Sequence, residues 1–140
     1  MVKQLSVFLE NSQGSLAKAT QAFSEANIDI LAASLADTSD FGIFRTIVDS
    51  PEKAMDTLKA GGYTVKLTPV LALGVQDRPG ELSRVMKVFV ENNIQVEYMY
   101  SLVRTRQQLA VLILKVSELS KAEKLLESVG YPILSQEDLV

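Results

Sequence analysis

The sequence predicts an α+β fold made of two similar domains, residues 1–69 and 70–140, each with the element order β-α-β-β-α-β. Three observations lead to this prediction. The chain contains an internal repeat, and each copy alternates between strand-like and helix-like apolar spacing. Glycine or asparagine residues also stand at matching positions where helices should end.

The second half of the chain repeats the first along its whole length, with a short slip near the end. The loop Gln13–Leu16 matches Pro79–Leu82. Further matches are Phe23 with Phe89, Asn27–Ile28 with Asn93–Ile94, Ile43–Val48 with Leu109–Leu114, Leu58 with Leu126 and Gly62–Tyr63 with Gly130–Tyr131. A repeat of only two copies is too short for a solenoid, so it predicts a pair of similar domains.

Each copy begins with an apolar run, a loop that contains glycine, and an amphipathic helix. The runs are Leu5–Leu9 and Val70–Val75. Apolar residues then recur every three or four positions, which is the spacing of one helix face. They are Leu16, Ala19, Phe23 and Ala26 in the first copy and Leu82, Val85, Met86, Phe89 and Val90 in the second. Asn27 and Asn93 should end these helices, because asparagine tolerates the left-handed backbone conformation.

Two strands follow in each copy. They are expected at Ile28–Leu35 and Ile43–Val48 around a polar turn at Asp37–Asp40, and at Ile94–Val103 and Leu109–Val116 around a turn at Arg104–Gln108. Antiparallel sheets covered by helices on one face should alternate apolar and polar residues, but these strands are apolar on both faces. We therefore expect a second copy of the chain to cover the outer sheet faces in a homodimer. The alternative is that small apolar residues such as Ala33 and Ala110 simply lie exposed.

A second helix and a short strand complete each copy. Ser50 before Pro51 predicts an N-cap followed by the first helical position, and Ser120 with Glu123 predicts a capping box. The helices should end at glycine, with a last strand after the next tyrosine, at Gly62–Tyr63 and Gly130–Tyr131. The resulting order is that of the ferredoxin-like motif, present twice.

Composition excludes several classes of function. The chain has no cysteine and no histidine, so disulfides, thiolate and imidazole catalysis, and nitrogen or sulfur zinc sites are absent. No metal or other cofactor is expected, because no loop has the dense carboxylate spacing of a calcium or magnesium site. We expect a protein that is not an enzyme.

Charge and hydropathy point to a protein of the cytoplasm. The formal net charge is −3, and lysine and arginine are not clustered, so nucleic acid is not an expected partner. RNA-binding modules share the β-α-β-β-α-β order, but the strands Leu71–Val75 and Leu109–Leu114 lack the aromatic residues on which bases stack. No apolar stretch approaches the roughly 20 residues of a membrane span, and a strand-like pattern begins at Lys3, so neither membrane association nor a signal peptide is expected.

Three segments of the second half resemble the signature of ACT domains, small regulatory modules that bind amino acids and control metabolic enzymes. These segments are Asp77–Val85, Phe89 and Asn92–Tyr100, and the first half carries a degenerate version in Asn11–Leu16 and Asn27–Ile30. The resemblance covers essentially the whole chain as two tandem copies. It implies the same ferredoxin-like fold and an amino-acid ligand.

The loop before the first helix of each copy has the chemistry that an amino acid needs. A helix start presents unpaired N–H groups to a carboxylate, glycine lets a ligand approach the backbone, and Asn11 or Asp77 can accept hydrogen bonds from an ammonium group. The candidate ligand-binding residues are Asn11, Ser12, Gln13, Gly14, Ser15 and Leu16 in the first loop and Asp77, Arg78, Pro79, Gly80, Glu81 and Leu82 in the second.

The resemblance also implies that a polar residue at the start of the second strand of the facing domain closes each site. The matching positions are Gln95 for the first loop and Asp29 for the second. The first loop has Gln13 in place of the proline, so we expect it to be less fixed. The same residues also have purely structural interpretations: the glycines serve tight turns, Asn11 and Asp77 cap helices, and Asp29 and Gln95 are solvated.

Two functional hypotheses follow. The first is a regulatory protein that binds an amino acid between its two domains and modulates amino-acid metabolism. The alternative is a non-catalytic regulatory subunit that holds a biosynthetic enzyme without sensing free ligand, because Pro79–Val85 is also similar to small subunits of acetolactate synthase. Binding of an amino acid by the isolated chain separates the two hypotheses.

Overall fold

A computed structural model of the protein describes residues 1–38, 40–103 and 109–140. The turn predicted at Arg104–Gln108 lies outside the described residues, and so does Ser39 of the turn predicted at Asp37–Asp40. The chain forms two compact units. The first unit is Lys3–Thr68, and the second is Pro69–Val140 together with Met1–Val2.

The elements occur in the predicted order up to the fourth helix, and a short fifth helix that was not predicted follows near the end of the chain. They are β1 (Val2–Glu10), α1 (Ser15–Glu25), β2 (Ile30–Asp37), β3 (Phe41–Val48), α2 (Pro51–Ala60), β4 (Thr64–Val75), α3 (Glu81–Glu91), β5 (Val96–Ser101), β6 (Ala110–Val116), α4 (Leu119–Ser128) and α5 (Gln136–Leu139). Antiparallel strands with helices on one side confirm the prediction of two ferredoxin-like βαββαβ folds in tandem.

In the first unit, β3 pairs with both β1 and β2. Thr46 at the middle of β3 lies opposite Leu5 of β1 and Ala33 of β2. Alternate residues of a strand point to the same face of the sheet. The face that contains Leu5 and Phe44 packs on α1 and α2. The core that results contains Leu5, Val7, Leu9, Phe44 and Val48 from the strands and Ala19, Phe23, Ala54 and Leu58 from the helices.

The second unit builds the same core from β4, β5 and β6. Leu71 of β4 lies opposite Leu114 of β6, and both pack with Val85, Phe89, Ala122 and Leu126 of α3 and α4. The predicted last strand is reduced to a bridge between Leu73 and Ile133. Two hydrogen bonds flank it, from Gly74 N–H to the Pro132 carbonyl (2.9 Å) and from Leu134 N–H to the Ala72 carbonyl (2.9 Å).

Both asparagines end their helices as predicted. Asn27 and Asn93 have φ angles of 56° and 57°. The next residue in each copy reaches back to the helix, from Ile28 N–H to the Phe23 carbonyl and from Ile94 N–H to the Phe89 carbonyl, each over 2.9 Å. This is the Schellman arrangement, which satisfies carbonyls that the helix end leaves without partners.

Two details of the helices were predicted wrongly. Helix α4 begins at Leu119 with Glu118 as N-cap and no side-chain cap, so Ser120 and Glu123 form no capping box. Val90 is 75% exposed, although it was assigned to the buried stripe of α3. It lies one position after the buried Phe89, and one position turns the helix by about 100° away from the core.

The apolar residues on the outer face of β6 are buried without a second copy of the chain. Val111 and Ile113 alternate with the residues that face α3 and α4, and they are 2% and 0% exposed in the single chain. An uncovered apolar face suggested the homodimer, and the outer face of β6 is already covered in the single chain. This face therefore no longer supports a homodimer. On β2, Leu31 is buried, whereas Ala33 and Leu35 are exposed.

Candidate functional site

The two candidate loops have the same backbone path. Gly14 and Gly80 are the N-cap residues of α1 and α3, with φ angles of 88° and 91°. Only glycine adopts this left-handed conformation without strain. A Cβ atom added at either glycine would meet nothing within 4 Å, so the space beside both backbones is open.

Matching hydrogen bonds hold the two loops. Ser12 N–H donates to Glu10 (2.8 Å) as Arg78 N–H donates to Gln76 (3.0 Å). The Ser15 N–H donates to the Ser12 carbonyl (3.3 Å), as the Glu81 N–H donates to the Arg78 carbonyl (3.4 Å). The Lys18 N–H donates to the Gly14 carbonyl (3.0 Å), as the Arg84 N–H donates to the Gly80 carbonyl (3.1 Å). The first loop therefore takes the same path although it has Gln13 where the second has Pro79.

The candidate helix caps have other roles. Neither α1 nor α3 receives a side-chain hydrogen bond at its N-cap, so Asn11 and Asp77 do not cap these helices. Asn11 instead donates from Nδ2 to the Thr38 carbonyl at 3.4 Å. In the same loop the hydroxyls of Ser12 and Ser15 share a hydrogen bond of 2.8 Å. Residues 11–16 of the first loop thus have no charged side chain and form a turn lined by hydroxyls.

Two adjoining pockets lie beside the first loop. The larger has a volume of about 570 Å³ and the smaller about 280 Å³. The larger is in the range of small-molecule sites, roughly 300–1,000 Å³. The residues that line it are Phe8, Leu9, Glu10, Ser12, Gln13, Gly14, Ser15, Lys18, Gly61, Gly62, Tyr63 and Thr64. The smaller pocket adds Asn11 and Leu16 of the predicted site, together with Leu35–Asp37 and Gly42.

Groups of both charge signs line the larger pocket. The start of α1 has no acidic residue in its first turn, so the positive end of its dipole is not neutralised, and the Lys18 ammonium lies on the same turn. Glu10 and, at Gly61–Gly62, the carbonyl end of α2 also line this pocket. A zwitterion fits such a pocket, with its anionic group at α1 and its cationic group towards Glu10.

The second loop carries a buried carboxylate at the same place. Glu81, the first residue of α3, has a side chain only 7% exposed. Its Oε1 accepts hydrogen bonds from Arg78 Nε at 2.7 Å and from Arg84 Nη1 at 3.0 Å. Arg78, Glu81 and Arg84 match Ser12, Ser15 and Lys18 in the repeat, so the two loops differ in side chains and not in backbone.

Asp29 and Gln95 lie at the far end of α1 and α3 from the loops. Both are exposed, and each is tied by its backbone to a residue after β3 or β6. Asp29 N–H donates to Asp49 Oδ1 (3.2 Å), and Gln95 N–H donates to Ser117 Oγ (3.0 Å). Helix α1 has 11 residues, a length of about 16 Å, so neither residue reaches the loop of its own unit. Their role in closing a site stays a prediction.

Sequence reasoning missed part of the pocket lining. Lys18, Gly61–Gly62 and Tyr63 were not among the predicted site residues, yet all of them line the larger pocket. A signal for three of these residues, Lys18, Gly62 and Tyr63, existed in the repeat. Lys18 aligns with Arg84, so both copies have a cation one turn after the loop, and Gly62–Tyr63 recurs as Gly130–Tyr131.

Comparison with known proteins agrees with the fold. Residues 1–139 match the ACT domain pair family. The structure is similar to that of a protein from Bacteroides thetaiotaomicron, with 33% identity, a TM-score of 0.91, and coverage of 99% of this chain and 94% of the other. The chain therefore belongs to the ACT domain pair family, whose domains are regulatory.

More distant structures share the fold alone. The ligand-free regulatory subunit of aspartate kinase from Thermus thermophilus is 16% identical with a TM-score of 0.65, and the one from Thermus flavus is 15% identical with a TM-score of 0.61. In both cases the match covers 91% of this chain and 89% of the other. No curated protein sequence matches the chain significantly. Within residues 1–38, 40–103 and 109–140, no helix has the length and hydropathy to cross a membrane.

Proposed function

We propose that this chain is a regulatory protein of the cytoplasm that binds an α-amino acid beside its first loop and thereby modulates an enzyme of amino-acid metabolism. One observation carries the proposal. The pocket of about 570 Å³ is lined by the positive start of α1 and Lys18, and also by Glu10 and the carbonyl end of α2. An α-amino acid has a carboxylate and an ammonium group that match these positive and negative groups.

The surroundings of the loop support a bound ligand. The hydroxyls of Ser12 and Ser15 hydrogen-bond to each other, and either can turn towards a carboxylate. Space is open where a Cβ atom of Gly14 would stand. Tyr63 and Phe8 supply apolar surface for the aliphatic part of a ligand.

Regulation requires that the amino acid bind one state of the protein more tightly than another. A coupling of about 1–3 kcal/mol changes the affinity for a partner by one to two orders of magnitude. The chain itself carries out no chemistry in this proposal. Its partner is a metabolic enzyme whose activity responds to the liganded chain.

A thermal-shift screen against the twenty L-amino acids, each at about 1 mM, tests the proposal. A ligand present at 100-fold over its dissociation constant stabilises the folded chain by about 2.7 kcal/mol, and the melting temperature then rises by several degrees. One or a few amino acids should produce such a shift.

Variants locate the site. Lys18→Met should reduce the shift strongly, because it removes the cation beside the loop. Lys87→Met is the matched control, since Lys87 is exposed on α3 and interacts only weakly with Glu91, at 3.9 Å; it should leave the shift unchanged. If no amino acid raises the melting temperature, the sensor function is overturned, and a regulatory subunit that does not sense free ligand takes its place.

A further inference from the structure

We propose that the second loop is a carboxylate-binding site that the chain fills with its own Glu81, and that Ser15 at the matching position leaves the first loop open to a carboxylate from solution. The part that concerns the first loop rests on the proposed function. The part that concerns Glu81 does not.

The burial of Glu81 separates its contacts from an ordinary surface ion pair. Its side chain is 7% exposed, whereas Arg78 and Arg84 are 55% and 64% exposed. Exposed pairs such as Lys3 with Glu52 contribute little to stability because water competes for both groups. A buried carboxylate needs compensating partners, and here two guanidinium groups and the start of α3 provide them.

The arrangement is that of a receptor with its ligand in place. Two cationic side chains bind one oxygen of a carboxylate at a helix start, and glycine holds the loop open beside them. Two positive charges face one negative charge, so removal of the carboxylate leaves a cationic site. A small carboxylate from solution is the class of ligand that should bind there in place of the Glu81 side chain.

The first loop is the same site without the internal ligand. Its backbone hydrogen bonds match those of the second loop within 0.2 Å, from 2.8 against 3.0 Å to 3.3 against 3.4 Å. Ser15 stands in the position of Glu81, and Ser12 stands in the position of Arg78. Lys18 keeps the cation of Arg84, so the first loop retains a positive charge and lacks the side chain that neutralises it.

Chemical rescue tests the inference. Glu81→Ser, which copies the first loop, should lower the melting temperature. About 0.1 M sodium acetate should restore several degrees of it relative to sodium chloride at equal ionic strength, which screens charges equally. The wild type and the control Glu52→Ala should melt at the same temperature in the two salts. If Glu81→Ser does not fold in chloride, its refolding yield in acetate replaces the melting temperature.

Two results would overturn the inference. One is an acetate effect that is equal in the wild type and in Glu81→Ser. The other is rescue that persists after Arg78→Ala and Arg84→Ala are added, because the acetate then binds elsewhere. An equal failure to refold in both salts counts against it as well.

Stoichiometry links the two proposals. With the amino acid found in the screen, calorimetry should give one site per chain in the wild type, two in Glu81→Ser and none in Ser12→Arg/Ser15→Glu. Two sites in the wild type would overturn the occupied second loop. If no amino acid binds, the proposed function fails alone, because acetate rescue uses no amino acid.

Discussion

The left-handed asparagines show how much of the fold depends on single backbone positions. Asn27 and Asn93 have φ angles near 57°, where other L-residues are strained by about 1–2 kcal/mol. We expect Asn27→Ala to lower the free energy of unfolding by about 1 kcal/mol and Asn27→Gly to leave it unchanged or raise it slightly. Urea unfolding measures both variants. An alanine variant as stable as the glycine variant would contradict the assignment.

Two glycines inside strands make a matched pair with opposite expectations. At Gly74 a Cβ atom would lie 2.9 Å from Leu109 Cδ1 and 3.0 Å from the rigid ring of Pro132, whereas at Gly42 the nearest atom is 3.6 Å away. Gly74→Ala should cost about 1–3 kcal/mol through overpacking. Gly42→Ala should change stability by less than about 0.5 kcal/mol. Denaturant unfolding of both variants measures the loss of stability. An equal loss at the two positions would show that close packing around Gly74 is not its cause.

Single residues also mark where sequence reasoning succeeded and failed at the site. The turns at Gly14 and Gly80 and the helix ends at Asn27 and Asn93 were predicted correctly, because each of these residues sets its own φ angle. The contacts of Glu81 with Arg78 and Arg84 are also local, each three positions apart, but its burial is not. A glutamate at the start of a helix is ordinarily a solvated partner of the helix dipole, so nothing in the sequence distinguished this one.

At the scale of elements, the caps were the least predictable feature. Ser120 and Glu123 have capping-box spacing, yet α4 begins one residue before Ser120. The box occurs instead at α5, where Ser135 Oγ accepts from Asp138 N–H and Asp138 accepts from Ser135 N–H at 2.8 Å. The spacing alone does not show where a helix starts, because core packing of the whole helix fixes its first residue.

The capping box of α5 should respond to acid. Hydrogen bonds from the backbone N–H of Ser135, and then from its side chain, hold the pKa of the Asp138 carboxyl below its ordinary value. A lowered pKa in the folded state means that the stabilisation is complete above the unfolded value of about 4 and is lost as the pH falls through the folded value. The amide signal of Leu139 in an NMR titration should shift below about pH 4. Asp138→Asn should remove that step, and Glu137→Gln should not.

At the scale of the whole molecule, the duplication is preserved in both cores but not in every contact. Phe23 and Phe89 are each 1% exposed in the core of their own unit. Phe23 also packs against Phe44, with ring centroids 6.4 Å apart. Ala110 stands in the position of Phe44 in the second half, so Phe89 has no aromatic partner there.

Phe23→Leu should therefore cost more than Phe89→Leu. The difference should be about 0.5–1.5 kcal/mol, which is the usual contribution of an aromatic pair beyond its buried area. Urea unfolding of both variants measures it, and a double-mutant cycle with Phe44→Leu isolates the pair. If Phe89→Leu costs as much as Phe23→Leu, the pair contributes nothing.

The fold was largely predictable because the repeat presents each element twice. Helix stripes, left-handed ends and loops agreed between the copies, and this agreement outweighed ambiguity in any one segment. The larger pocket was less accessible to sequence reasoning. Part of its lining, Gly61–Thr64, follows the end of α2, far along the chain from the loop, and only folding brings the two segments together.

The matching backbones of the two loops have a consequence for protein engineering. Segments 11–18 and 77–84 are interchangeable, because matching backbone hydrogen bonds hold both of them and only their side chains differ. A designer can transfer either set of side chains to the other frame without rebuilding the turn. The chain is therefore a scaffold with two equivalent turns, in which the side chains of one loop can be changed while the other loop stays as an internal reference.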